Sequence, residues 1–245
     1  MQSQQHIAKV NDNYFYITNP NDTIQKYLYY GVQWNNAMVG FLEEIIQIKG
    51  LKHLVNIGAH IGTICIPLSR TISKISAVEP YFRTYIHLVD NIRLNQITNI
   101  HHYNIAFGDK KDTIYFMDDK IERIENNNGG MHVFTETDII ENRRSAEFVN
   151  RSLTGQMVCL DEFVEIDDFD IMFIDIEGME DVFLQGAKEK IQKNKPVIVI
   201  EIWNNPKRVL ENMNTTTEDI IFYIIELGYK LYKNMNDDYI FLPLP

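Results

Sequence analysis

Five carboxylates stand where apolar runs of this chain come to an end. Asp175 and Glu177 follow Phe169-Asp170-Ile171-Met172-Phe173-Ile174 and are two residues apart, hence on one face if the strand keeps its pleat that far. Glu201 closes the apolar run 196–200, Glu79 closes Ile75-Ser76-Ala77-Val78, and Asp109 follows Ala106-Phe107-Gly108. Ligands of open α/β sheets lie beyond the carboxyl ends of the strands, so these acids would converge on one. Together they suit three tasks: taking a proton from a hydroxyl, holding a hard divalent cation such as magnesium through oxygen ligands, and attracting a cationic cofactor. Asp175 and Glu177 are the leading candidates, with His60 and Glu201 behind them. The competing assignments are capping and solvation at the Gly178 turn for the two leading acids, a buried hydrogen-bonding spacer for His60, and an orienting role for Glu201.

These side chains have to be positioned, and the stretch that does so is Leu54-Val55-Asn56-Ile57-Gly58-Ala59-His60-Ile61-Gly62. It reads as strand, tight turn and helix, the place where glycines let backbone approach a ligand and the next helix offers free N–H groups. Such a turn also occurs in α/β proteins with no ligand. Glu79 comes about 20 residues after Gly58, the spacing at which a dinucleotide fold holds a ribose, so it would take the two ribose hydroxyls. Pro80 then stops the strand and suits the start of a helix over 81–95.

Around this core the sequence alternates strand and helix. Residues 1–50 carry a short strand (14–17) and a helix (34–48) with Met38, Phe41, Leu42, Ile45 and Ile46 on one face, forming an adaptor on the substrate side. Its aromatics Tyr27, Tyr29, Tyr30 and Trp34 either pack on the sheet or wall a pocket. A strand is expected over 99–107; His101 and His102 within it point to opposite faces and cannot share a metal. Residues 111–160 break the alternation as an insertion, with strands at 113–117 and 156–160 around the polar Asn126-Asn127-Asn128-Gly129-Gly130, whose position favours a substrate-facing lid. A helix over 180–193 follows Gly178, and Thr215 with Glu218 is spaced as the capping box of a helix ending at Gly228. The last two strands, 229–233 and 239–242, are joined by too few residues for a crossover and must form an antiparallel hairpin. A mostly parallel, Rossmann-like seven-stranded sheet ending in such a hairpin, with helices on both faces, is the architecture of class I S-adenosylmethionine-dependent methyltransferases.

With 245 residues and 45% hydrophobic content, the chain is expected to form a single α/β domain. Its 23 basic against 34 acidic residues give a net charge of −11, which argues against a nucleic-acid backbone as partner. Cys65 and Cys159 lack metal-ligand neighbours and read as reduced core residues. Neither a signal peptide nor an apolar run of about 20 residues is seen, so a cytoplasmic protein without a membrane association is expected.

Taken in order, Asn56-Ile57-Gly58-Ala59-His60-Ile61-Gly62, Val78-Glu79-Pro80, the 91–95 segment, Ala106-Phe107-Gly108-Asp109, Leu160-Asp161-Glu162-Phe163, Ile174-Asp175-Ile176-Glu177-Gly178-Met179-Glu180, Leu184-Gln185-Gly186-Ala187 and the 196–201 run resemble the FkbM family of methyltransferases. The resemblance covers roughly residues 52–203, and its specific part is Asp-x-Glu-Gly-x-Glu followed by Leu-x-Gly-Ala. It implies S-adenosylmethionine as methyl donor, S-adenosylhomocysteine as product, and O-methylation of a sugar, glycan or other small hydroxylated acceptor. It also implies that Asn56, Gly58, Ala59, His60 and Gly62 cradle the methionine end, with Asp175 beside them. Glu79 would hold the ribose, and Ala106, Phe107 and Asp109 the adenine. Where the family usually carries Asp, this chain has Asn56, an amide that hydrogen-bonds without charge. Competing functions are an RNA methyltransferase on the same fold, which the acidic balance disfavours, an NAD-type oxidoreductase, which the terminal hairpin disfavours, and a binding module that keeps the fold without turnover.

Overall fold

Apolar runs without polar alternation, such as Ile171-Met172-Phe173-Ile174, need cover on both faces, and the fold supplies it. The structure is a computed structural model and describes residues 6–116, 133–135, 153–211 and 213–245. A hairpin of β1 (His6–Val10) and β2 (Asn13–Ile17) leads into helices α1 (Thr23–Tyr29) and α2 (Asn36–Lys49). Next come β3 (His53–Ile57), the single helical turn α3 (Cys65–Leu68), β4 (Lys74–Val78), α4 (Phe82–Leu94) and β5 (Ile100–Tyr103). Strands β6 (Ala106–Phe107), β7 (Asp112–Phe116), β8 (Val133–Thr135) and β9 (Leu153–Val158) form a separate four-stranded sheet. The chain then returns through β10 (Ile171–Ile174), α5 (Glu180–Gly186), α6 (Lys188–Asn194), β11 (Val197–Glu201), α7 (Asn205–Leu210) and α8 (Thr217–Glu226) to β12 (Tyr229–Met235) and β13 (Asp238–Pro243).

The large sheet has the order β5-β4-β3-β10-β11-β13-β12, parallel except for β13, which runs antiparallel to both β11 and β12. This is the α/β class expected, a Rossmann-like sheet ending in an antiparallel hairpin. Alternate residues of each strand serve opposite cores: Leu54, Ile75, Phe173 and Val199 pack toward α2, α3 and the N-terminal hairpin, while Val55, Val78, Met172 and Ile198 pack toward α5, α6 and α8. Among the described residues no helix is long and apolar enough to cross a membrane.

Several elements differ from expectation for local reasons. The 99–107 strand is cut in two, because the Asn104 amide donates to the Glu79 and Pro80 carbonyls, both at 2.9 Å, and draws the chain out of the large sheet. The 180–193 helix breaks at Ala187. There the Asp161 carboxylate accepts the Glu189 and Lys190 amides at 3.0 and 2.9 Å and starts a second helix. The capping box is formed by Thr216 and Asp219, one residue later than predicted, since Thr215 Oγ1 donates to Asp181 instead. The hairpin turn is tighter, with only Asn236 and Asp237 between β12 and β13. The Asn126-to-Gly130 stretch read as a lid lies outside the described residues.

The Ala187 break also brings Gly108, Asp161 and Gly186 together. Gly186 O accepts the Asp161 amide at 2.9 Å, and a Cβ on Gly186 would stand 1.7 Å from the Gly108 carbonyl oxygen. Gly186→Ala is therefore expected to push the small sheet off α5 and lower stability by about 1–3 kcal/mol, read as a drop in the urea midpoint; an unchanged midpoint would contradict this packing.

Candidate active site

The site begins where β3 and β10, neighbours in the sheet, release their chains at the same level. Gly58 has φ 80°, and a Cβ on it would lie 1.8 Å from the Asp175 carbonyl oxygen. Only glycine permits that crossing. The Asp175 N–H donates to Ile57 O at 3.0 Å, while the Gly58 and Ala59 N–H groups both donate to Val78 O at 2.9 Å. These amides are therefore spent on β4 rather than offered to a ligand, and α3 is a single turn, so the free helix N-terminus expected there is not what the turn provides.

Instead the turn orients Glu79. The His60 N–H donates to one carboxylate oxygen at 2.9 Å and the Tyr81 N–H to the other at 3.0 Å. Burial raises this carboxyl to about 7, with the two amides pulling the other way. Glu79 lines a cavity of about 250 Å³ that opens along the ends of the strands. On the β5 side its wall is apolar, made by Ile105, Ala106, Phe107, Phe116 and Met157; on the β10 side it is acidic.

At the acidic end Asp175, Glu177 and Glu201 each bring a carboxylate oxygen within 4.8 Å of the others, a separation at which one divalent cation can be shared. Burial and the neighbouring Glu201 and Glu177 carboxylates push Asp175 well above the usual range, and it shares a hydrogen bond with Glu201. Burial and Glu201 raise Glu177 to about 7, against the pull of Lys207, whose Nζ is 3.7 Å from Glu177 Oε2. Asp238 adds a fourth acid at this end of the cavity. It pairs with Glu201 in the sheet register, is raised to about 6 by burial and by Glu201, and is hydrogen-bonded by Asn35.

His60 also lines the cavity. Its backbone is left-handed, φ 48°, and both ring nitrogens are buried without a hydrogen-bond partner among the described residues. Desolvation lowers the imidazole to about 4, so it is neutral near pH 7 and suits hydrogen bonding better than proton abstraction. Gly58, Ala59, His60, Glu79, Ala106, Phe107, Asp175, Glu177 and Glu201 are all brought together around the cavity.

Asn56, Gly62 and Asp109 are not in its wall. Asn56 is fully buried one residue inside β3, which continues to Ile57, and both polar atoms of its side chain lack a hydrogen-bond partner among the described residues. Gly62 serves packing, since a Cβ there would meet Ile66 at 2.6 Å and Leu88 at 3.0 Å. Asp109 is exposed, because the chain at Gly108 is held on Gly186. Thr23, Trp34, Asn35, Met179 and Asp238 line the cavity without having been singled out as site residues, apart from Trp34 as an aromatic of either role. Asp238 had a usable signal: the first residue of a strand antiparallel to β11 must sit at the carboxyl end of the sheet.

No curated protein matches the chain in sequence. Among solved structures it is similar to a methyltransferase FkbM from Methylobacillus flagellatus KT, with a TM-score of 0.51 and 16% identity over 78% of this chain and 43% of that one. This chain thus spans less than half the length of that protein. It is also similar to a putative O-methyltransferase from Klebsiella pneumoniae (TM-score 0.51, 10% identity, 86% and 82% of the two chains). The O-methyltransferase TomG from Streptomyces achromogenes, involved in tomaymycin synthesis and solved with SAM, is a further likeness (TM-score 0.50, 10% identity, 91% and 87%). At these identities the likeness is one of fold. The sequence model of the methyltransferase FkbM domain matches residues 56–231, from the strand before the glycine turn into the terminal hairpin and across more than half of the chain, which therefore belongs to the FkbM methyltransferase family.

Proposed function

We propose that the chain is an S-adenosylmethionine-dependent O-methyltransferase whose acceptor is a hydroxyl of a sugar, glycan or other small hydroxylated molecule. The observation that carries this reading is a single cavity with an apolar wall at one end, an oriented, buried Glu79 in the middle and three converging carboxylates at the other. An adenine suits the wall of Phe107, Phe116 and Met157, ribose hydroxyls suit the Glu79 carboxylate, and the methionine end then lies along Gly58, Ala59 and His60. When bound, S-adenosylmethionine supplies an electrophilic methyl group on a cationic sulfur, and the acidic end favours that charge.

Transfer to a hydroxyl needs positioning and removal of one proton. Glu177, raised to about 7, is the base, because its pKa matches neutral pH. Asp175 and Glu201 hold the acceptor hydroxyl in line with the methyl group while its proton passes to Glu177. His60 offers its unpartnered nitrogens to the bound ligands. Trp34 in the cavity wall, edge-on to Tyr27 at 5.2 Å, suits the flat face of a sugar ring. The net charge of −11 speaks for a small acceptor rather than a nucleic acid, and two free cysteines fit a reducing cytoplasm.

Two measurements test this reading. Calorimetric titration should show S-adenosylmethionine and S-adenosylhomocysteine binding, weakened about 10- to 100-fold by Glu79→Ala, the loss of hydrogen bonds to a charged group; a folded protein that binds neither compound would overturn it. The second concerns the crowding of carboxylates. Because folding raises Asp238 from its ordinary value of 3.8 to about 6, its favourable contribution is present below about pH 4 and lost as pH rises through about 6. Asp238→Asn should therefore gain on the parent protein by roughly 1–3 kcal/mol between pH 4 and pH 8, seen as a melting-temperature difference that opens with pH. A difference independent of pH would show that Asp238 is not crowded.

A further inference from the structure

Glu177 stands on an unusual corner. Both Glu177 and Gly178 have left-handed backbone, φ 52° and 99°, a conformation that glutamate adopts only when its surroundings impose it. The Gly178 N–H donates to Glu180 Oε1 at 2.7 Å. Glu180 Oε2 pairs with the Arg208 guanidinium at 3.2 Å, with side-chain exposures of 0% and 2%. Arg208 is held in turn by donating from Nε to the Thr215 carbonyl at 2.7 Å. Neither Glu180 nor Arg208 is in the cavity wall, so neither touches a ligand there.

Holding α5 against α7 does not by itself call for an ion pair, because an apolar pair of similar volume is often as stable in a buried position. What an apolar pair lacks is an acceptor for the Gly178 amide. We propose that Glu180, with Arg208 as its counter-ion, is a positioning residue: by capturing the Gly178 N–H it locks the left-handed corner and keeps the Glu177 carboxylate in the cavity beside the donor's sulfur. Arg208 lies on the same short helix as Lys207, which approaches Glu177 itself, so α7 reaches this acid both directly and through Glu180.

The proposal rests on reading the cavity as the S-adenosylmethionine site, and the test separates the two. S-adenosylmethionine carries a positive sulfur and S-adenosylhomocysteine a neutral one, so the ratio of their affinities reports a carboxylate held near the sulfur and is insensitive to a general loosening of the fold. Titrating the full chain with both compounds, E177Q should lower the preference for S-adenosylmethionine about fivefold. E180M/R208M, which removes both buried charges and refills their volume, should lower it to the same level, and E177Q added to that variant should lower it no further. E180Q, whose amide oxygen still accepts from Gly178, should restore the preference. If E180M/R208M does not fold, R208K, which loses the Nε bond to Thr215, serves instead with an expected fall of about twofold. A wild-type preference in E180M/R208M or in R208K, or an equal loss of both affinities, overturns the positioning role. Absence of binding of either compound to the wild-type protein overturns the donor reading itself, and the proposal with it.

Discussion

The approach of the Asp175 carbonyl to Gly58 is the constraint on which the site depends. Two adjacent parallel strands deliver their loops to the same point, and the loops cross there only because a Cβ that would sit 1.8 Å from the carbonyl oxygen is missing. That crossing sets the distance between the turn that orients Glu79 and the strand end that carries Asp175 and Glu177. It is braced on both sides, by the Val78 carbonyl that takes both turn amides and by Asn91 on α4. The Asn91 side chain donates to Ile61 O at 2.9 Å and accepts the Tyr16 N–H at 2.8 Å, so the N-terminal hairpin is tied to the same turn.

Around this fixed point the protein accepts charges that a core built for stability would avoid. Glu79, Asp175, Glu177 and Asp238 all have carboxyls raised by burial. His60 and Glu177 hold left-handed backbone, at about 1–3 kcal/mol for each sparsely populated conformation. Perturbed carboxyls and strained backbone gathered in one cavity are the mark of a site selected for chemistry. The buried Glu180–Arg208 pair differs in kind, since it sits behind the cavity and is fully partnered.

Legibility in the sequence followed the range of the contacts. Gly58, Glu79, Asp175 and Glu201 were readable because each ends a continuous apolar run, and strand ends in a parallel sheet share one edge. The terminal hairpin was readable because its linker is too short to cross the sheet. Asp238 was not read as a site residue although its place at the start of a strand antiparallel to β11 puts it at the carboxyl edge, and Asn35 was not because its place beside Asp238 depends on how the N-terminal segment packs on the sheet. Asn56 is set one residue inside the strand, because β3 runs on to Ile57, and its buried amide has no hydrogen-bond partner among the described residues. Gly108, Asp161 and Gly186 stand in separate motifs of the sequence, and their joint purpose, a close-packed seam between α5 and the small sheet, needs coordinates in three dimensions.

The division between shared and individual sequence also falls across the cavity. Gly58, Glu79, Phe107 and Glu201 in the cavity wall lie within the span matched by the family model, 56–231. Thr23, Ile24, Trp34, Asn35 and Asp238 wall the same cavity from outside that span. The fold brings the N-terminal segment and the hairpin to the carboxyl edge of the sheet by two different routes: α4, through Asn91 and Asn95, holds β2 in place, and the antiparallel run of β13 puts its first residue beside Glu201.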